Sequence, residues 1–143
     1  MTSTGLDSFD TTVQETNKIL NDIMGEFNWY GQKDWAYDAL RAVLQTLRDR
    51  LQVNEAADLG SQLPMLVRGF YYEGWKPANT PQDWNRKEFL NKVKQRFSQE
   101  TNKSPEDLVI GVMVALDKNI SRGEWQDIIS NLPEDLKPLF SLK

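Results

Sequence analysis

Apolar side chains recur along the chain at spacings of three and four, a pattern that places them on one face of a helix. The clearest stripe predicts a helix from about Lys33 to Leu51 and consists of Ala36, Ala39, Leu40, Val43, Leu44, Leu47 and Leu51. Four polar side chains of this stretch fall off the stripe: Arg41, Gln45, Arg48 and Asp49. They are therefore not predicted as core.

The other predicted helices begin at residues typical of helix N-termini. After a flexible tail over residues 1–9, the T-x-x-E pattern at Thr12 predicts a helix to Phe27 whose stripe includes Val13. Further starts are Asp34 as a cap of the 33–51 helix, Asn54 for 55–62, Pro64 for 64–72, Asn85 for a helix over 86–97, and Ser104. The last start opens the apolar run Leu108–Leu116, where the capping residues favour a helix over a buried strand.

The chain also repeats itself, which predicts its architecture. A shift of 69 residues aligns Leu47 with Leu116 and Leu63-Pro64 with Leu132-Pro133, and a shift of 70 aligns Phe27 with Phe97. Matching apolar positions at helical spacing are the signature of a duplicated packing unit. We therefore predict an all-α bundle of two tandem four-helix repeats, with about eight helices. The predicted segments are a tail (1–9), a first repeat (10–74), an aromatic connector (75–85) and a second repeat (86–143).

Composition excludes several kinds of chemistry. The 143 residues include no Cys and no His, so a Ser–His–Asp triad and Cys or His metal ligands are impossible within the chain. The net charge is −4, which argues against a dedicated nucleic-acid binder. Residues 1–74 carry 6 basic and 11 acidic side chains, whereas residues 75–143 carry 11 and 10. The N-terminus lacks the features of a signal peptide and no apolar run could span a bilayer, so we expect a cytoplasmic protein without membrane contact.

One segment of the chain is distinctive in its sequence: Glu55-Ala-Ala-Asp-Leu-Gly-Ser-Gln-Leu-Pro-Met-Leu-Val-Arg-Gly-Phe-Tyr-Tyr-Glu-Gly-Trp75. With this segment, and with Phe9–Gln14, Ala39–Leu44 and Leu47–Leu51 in support, the chain resembles the bacterial "domain of unknown function 2267" family. The resemblance covers roughly residues 9–140. It implies a small, soluble, helical bacterial protein and supplies no activity, cofactor or catalytic residue.

The first candidate site is the aromatic connector and the residues just before it. Arg68, Tyr72, Trp75 and Trp84 are the predicted binding residues, because exposed rings beside a cation are typical of protein interfaces. The alternative interpretation, which the sequence favours, is that these rings pack between the two repeats.

Three further features have weaker functional interpretations. Acidic pairs recur at Glu55/Asp58 and Glu124/Asp127, and Asp34 and Asp38 form another, but acids in a first helical turn are explained by the helix dipole. The basic helix over 86–97 is better explained as a solvated face, or as a dock for the acidic first half, than as an anion site. No phosphate-binding loop is present, and no cofactor or metal is predicted.

We therefore predict a non-enzymatic interaction module that binds an unidentified protein through the connector. The alternatives are a carboxylate-based, divalent-metal-dependent hydrolase and a weak anion or nucleic-acid binder acting through the 86–97 helix. The oligomeric state is left open.

Overall fold

A computed structural model describes residues 3–120 and 122–140, and within these ranges the chain forms eight α-helices and no strand. Their bounds are α1 Asp7–Phe27, α2 Lys33–Arg50, α3 Val53–Ser61, α4 Met65–Tyr72, α5 Arg86–Arg96, α6 Pro105–Asp117, α7 Arg122–Ser130 and α8 Lys137–Phe140. A single 3-10 turn at Pro77–Asn79 interrupts the connector. The predicted all-α bundle of about eight helices is confirmed.

The N-terminus of α1 differs from the sequence prediction. The helix begins at Asp7, so residues 7–9 are helical and do not belong to a tail. The carboxylate of Asp10 accepts hydrogen bonds from the backbone N–H of Thr4 at 2.7 Å and from its hydroxyl at 2.8 Å. Asp7 and Asp10 also lie at the positive end of the helix dipole. These interactions stabilise a start five residues before Thr12.

Thr12 therefore lies inside α1 and forms no capping box. Its side chain is buried, and its hydroxyl accepts a hydrogen bond from the backbone N–H of Leu66 at 2.9 Å. That N–H is one of the unpaired donors at the start of α4. The threonine thus fastens α4 onto α1.

The other predicted caps have mixed outcomes. Asn85 and Ser104 each form the predicted capping box, with Glu88 and Asp107 respectively. Asn54 is not a cap, because α3 already begins at Val53, and Asp34 lies in the first turn of α2 without capping it. The run Leu108–Leu116 lies in α6 and is mostly buried, as predicted.

The packing of the helices follows the repeat. α1 of the first half packs against α6 of the second. The repeat relates α1 to α5 and α2 to α6, and the corresponding pair, α5 and α2, also packs together. α2 also contacts α6, and α3 contacts α7, so equivalent helices meet each other. One apolar cluster of buried side chains runs through all eight helices. The two halves therefore share a single core, with α2 and α6 at its centre.

Besides its apolar stripe, α2 carries buried polar side chains. Arg48 is 3 % exposed, although the periodicity placed it outside the core. Its guanidinium donates to Asp49 through Nε at 2.8 Å, and through Nη1 to the carbonyls of Tyr71 at 2.8 Å and Glu73 at 2.9 Å. Those carbonyls lie at the C-terminus of α4, where no intrahelical donor remains. Arg48 therefore satisfies the end of α4.

The same interactions extend to α5. Arg96 donates to the carboxylate of Asp49 at 2.7 Å and to the hydroxyl of Thr46 at 3.2 Å. Asp38, also buried on α2, accepts from the backbone N–H of Ser98 at 2.8 Å, just beyond α5. Polar side chains of α2 thus fix the positions of α4 and α5.

Arg48→Met is expected to lower the free energy of unfolding by about 3–5 kcal/mol, because it leaves buried carbonyls and a carboxylate without their donor. Arg41→Met is the matched control: its side chain is 37 % exposed and pairs with Asp38 at 3.6 Å, so a loss under about 1 kcal/mol is expected. Urea unfolding measures both variants. Equal losses in the two would contradict the role assigned to Arg48.

Gly111→Ala tests the packing of α1 on α6. A methyl group at Gly111 would overlap the ring of Phe27, so overpacking is expected to cost about 1–3 kcal/mol despite the better helix propensity of alanine. Gly25→Ala in α1, where no atom lies within 4 Å of the new methyl group, should stabilise the fold. Thermal unfolding distinguishes the two, and stabilisation by both would rule out the close contact.

Candidate functional site

The predicted connector residues are held by contacts within the chain. Arg68 donates through Nε to the carbonyl of Gly60 at 2.9 Å and through Nη2 to that of Leu63 at 2.9 Å. It therefore ties α4 to the end of α3. These two hydrogen bonds explain the presence of an arginine at position 68 without invoking a binding partner.

Tyr72 and Trp75 are half-buried and pack together. Their ring centroids lie 5.2 Å apart, and the hydroxyphenyl ring of Tyr72 covers Gly60, where any side chain would overlap it. The indole N–H of Trp75 is buried and has no hydrogen-bond acceptor among the described residues. Both rings pack against the core but keep part of their surface in contact with solvent.

Trp84 of the connector is also half-buried, and it contacts residues of both halves. The ammonium of Lys92 lies 5.7 Å from the centroid of its ring, and its backbone carbonyl accepts from Nε of Arg50 at 2.9 Å. Trp84 is thus not brought together with Tyr72 in any common ring contact. A binding role for Arg68, Tyr72, Trp75 and Trp84 stays a prediction.

Rings outside the connector also pack between the two halves. Trp29 stacks on Phe97 with centroids 5.7 Å apart, and it lies 4.5 Å from Phe27. Trp29 and Phe97 come from opposite halves of the chain and are both buried.

An apolar groove lies between α1 and α4, away from most of the connector. One part has a volume of about 690 Å³ and a neighbouring part about 400 Å³, and the two share Val13, Leu66 and Gly69. We call this surface the α1–α4 groove. Its remaining lining residues are Thr4, Phe9, Thr12, Thr16, Asn17, Leu20, Tyr37, Met65, Phe70, Tyr72 and Glu73.

Exposed apolar side chains concentrate in this groove. Of the nine large apolar residues that the described chain exposes, five line it: Phe9, Val13, Tyr37, Met65 and Leu66, at 38–49 % exposure. Isolated exposed apolar residues are ordinary, but a contiguous set marks a binding surface. Val13, predicted as core from its stripe, therefore lies at the surface of a groove.

Gly69 gives the groove its depth. It lies within α4, and a Cβ built there would meet no atom within 4 Å. Sequence reasoning passed over the groove because it assigned one apolar stripe of α1 to the core. The available signal was the spacing of Leu6, Phe9 and Val13, which predicts a single helical face.

The acidic pairs do not form a metal centre in the described part of the chain. Asp34 is exposed, whereas Asp38 is buried and bonded to Ser98 and Arg41, so the pair does not face one ion. No group of three or more acidic side chains lies close enough to hold a metal ion among the residues described. The side chain of Glu124 lies outside the described residues.

The repeated acids do meet where α3 packs on α7. Glu55, Asp58 and Asp127 line a cleft of about 280 Å³ together with Asn131. Burial raises the pKa of the Glu55 carboxyl above its ordinary value, and the charge of Asp58 adds to this, against hydrogen bonds from Gln52 and Asn131 that lower it.

The cations of α5 are mostly occupied by contacts within the fold. The backbone N–H of Arg86 donates to the carboxylate of Asp135 at 2.9 Å, and its guanidinium pairs with Glu106. Lys92 lies on Trp84 and Arg96 binds Asp49 of the acidic first half. The expected docking of this helix onto the first half is therefore visible at Arg96.

Comparison with known proteins identifies the family. Residues 16–139 match the family described as uncharacterised conserved proteins, DUF2267. The chain therefore belongs to the DUF2267 family. No curated protein gives a significant match. None of the helices in the described ranges is long and apolar enough to cross a membrane. The bacterial origin and the cytoplasmic location stay predictions.

Glu55→Gln is expected to raise the melting temperature at pH 7 and to leave it unchanged at pH 3. Because the folded-state pKa is raised, the native protein holds this proton more tightly than the unfolded chain does. The resulting stability is present below the ordinary pKa and is lost as pH rises through the folded-state value. Glutamine, which mimics the protonated acid, retains it at pH 7.

Glu15→Gln, which changes an exposed carboxylate of α1, is the control. Melting temperatures measured across pH for both variants check the sign. A lower melting temperature of Glu55→Gln at pH 7 would contradict the assigned shift.

Proposed function

We propose that this protein is a non-enzymatic interaction module and that its partner, another protein, binds in the α1–α4 groove. The carrying observation is the concentration of exposed apolar side chains along one groove. Full burial of one such side chain contributes roughly 1.5–3 kcal/mol, so completing the burial of five half-exposed ones supports a specific complex. Pockets of several hundred Å³ with mostly apolar walls are typical binding sites.

The geometry of the groove supports the proposal further. Hydrogen bonds fix the positions of both walls. Thr12 of α1 accepts from the N–H of Leu66 of α4, and the hydroxyl of Tyr71 of α4 donates to the carbonyl of Ala56 of α3 at 2.6 Å. A site that is already formed loses little conformational entropy on binding. The surface is thus suited to recognition without a large rearrangement.

The connector prediction overlaps with this proposal at one residue. Tyr72 lines the groove, while Arg68, Trp75 and Trp84 do not. A partner that fills the groove would therefore contact Tyr72 at its edge.

The test places a photoreactive benzoylphenylalanine at Leu66, in the groove, and in a second protein at Ile110, which is 44 % exposed on α6. After illumination of the source cells, the Leu66 probe is expected to capture a defined protein at least tenfold more strongly than the Ile110 probe. Gly69→Leu, which fills the groove, should abolish this capture. Gly25→Leu adds the same side chain to an open position of α1 and should leave capture intact.

Two outcomes would overturn the proposal. Capture from a probe at Trp84 but not from one at Leu66 would move the contact surface to the connector. Equal capture from the Leu66 and Ile110 probes, or none from either, would show that the groove binds no defined protein. Mass spectrometry of the cross-linked products identifies which outcome holds.

A further inference from the structure

We infer that the occupant of the α1–α4 groove is an amphipathic helix of about three turns, apolar on one face and carrying Lys or Arg at both ends. This inference rests on the proposed function and adds the chemistry of the partner. Three observations carry it: the length and shape of the groove, the acids at its ends, and the place of the nearby cations.

The shape of the groove fits a helix. Its α1 wall extends from Phe9 to Leu20, eleven helical steps of 1.5 Å each, or about 16 Å. Three turns of a guest helix cover the same distance. The described chain has no strand, so it offers no sheet edge to which an extended peptide could add. A helix lying in a groove between two helices is a common mode of recognition, and it matches the length of this groove.

Acidic side chains stand at both ends. Glu73 lines one end, with an exposed carboxylate. At the other end Thr4 and Phe9 line the groove, and Asp7 and Asp10 lie in the adjacent first turn of α1. The backbone N–H of Thr4 lowers the pKa of Asp10, so this carboxyl is ionised at neutral pH.

The cations near the groove make contacts within the chain. Between Asp7 and Leu20, the part of α1 that borders the groove, the acids are Asp7, Asp10 and Glu15 and the cation is Lys18, whose ammonium pairs with Asp22 at 3.2 Å. Arg68 is the only cation of α4, and its guanidinium is directed to the carbonyls of Gly60 and Leu63. Two cations of α2 contact the groove lining: the ammonium of Lys33 donates to Asn17 at 3.2 Å, and Arg41, which pairs with Asp38, lies over the ring of Tyr37. The acids at the two ends, Glu73 and the Asp7–Asp10 turn, therefore favour a guest with basic ends by charge complementarity.

The same charges argue against a second copy of this chain as the occupant. A symmetric dimer through this face would place one acidic α1 against another. Like charges brought together across an interface cost binding energy. A partner with basic ends meets no such penalty.

The test is a selection from a displayed library of random 14-residue peptides. The library is enriched on the full chain and depleted on Gly69→Leu. Enriched peptides are expected to carry net positive charge and apolar residues spaced by three and four. A synthetic representative should bind the wild type and Gly25→Leu equally in fluorescence anisotropy, and Gly69→Leu at least tenfold more weakly.

Charge reversal supplies the second measurement. Replacing the terminal Lys or Arg of the peptide by Glu should weaken binding at least tenfold, and Glu73→Lys should restore part of this loss. Asp83→Lys, the same change at a fully exposed connector position, should restore nothing. Binding of the basic peptide should also weaken as salt rises from about 50 to 500 mM, because exposed charges are screened.

The inference fails if enriched peptides are acidic or neutral, if they lack helical spacing, or if none is enriched. It also fails if sedimentation shows a wild-type dimer that Gly69→Leu dissociates, since the occupant is then a second copy. These failures are distinct from that of the proposed function. Capture of a defined protein by the Leu66 probe would still uphold an interaction module with another kind of guest.

Discussion

The arrangement of this fold depends on the need to satisfy the C-terminal carbonyls of α4. An eight-residue helix is only marginally stable by itself, and its last carbonyls have no partners within it. Two side chains of α2 supply them: Gln45 donates to the carbonyl of Phe70 at 2.8 Å, and Arg48 donates to those of Tyr71 and Glu73. The buried guanidinium is tolerable because Asp49 binds it, and Asp49 in turn binds Arg96 of α5. One helix thus fixes the position of α4 and of the second half together.

The groove is a consequence of this anchoring. α4 is held at its N-terminus by Thr12, at its C-terminus by Arg48, and along one side by Tyr71, which contacts α3. Its opposite side, with Leu66 and Gly69, therefore faces solvent beside α1 instead of closing onto it. The apolar residues there are exposed because the polar contacts behind them determine where the helix lies.

The sequence predicted the parts of the fold that periodicity encodes and missed those set by tertiary contacts. Apolar spacing and the internal repeat together predicted about eight helices, and the capping boxes at Asn85 and Ser104 formed as predicted. The burial of Arg48 could not be predicted, because a stripe records apolar positions and not the carbonyls of a distant helix. The start of α1 depends on contacts between Asp10 and Thr4, which no local pattern fixes. The groove was missed for a related reason: periodicity shows that α1 has an apolar face, but not how much of that face the other helices cover.

Comparison of the two halves indicates that the groove is not a by-product of the duplication. The 69-residue shift aligns Leu66 with Asp135 and Gly69 with Pro138, and the 70-residue shift aligns Val13 with Asp83. In the second half Asp135 accepts from the backbone N–H of Arg86, so polar contacts occupy the equivalent surface. α5 is also shorter than α1, with 11 residues against 21, and provides no comparable wall. Both halves keep the apolar positions that build the shared core, whereas at the positions equivalent to Leu66, Gly69 and Val13 the second half carries Asp135, Pro138 and Asp83. The apolar lining of the groove is therefore specific to the first half, and this difference supports the binding role proposed for the α1–α4 groove.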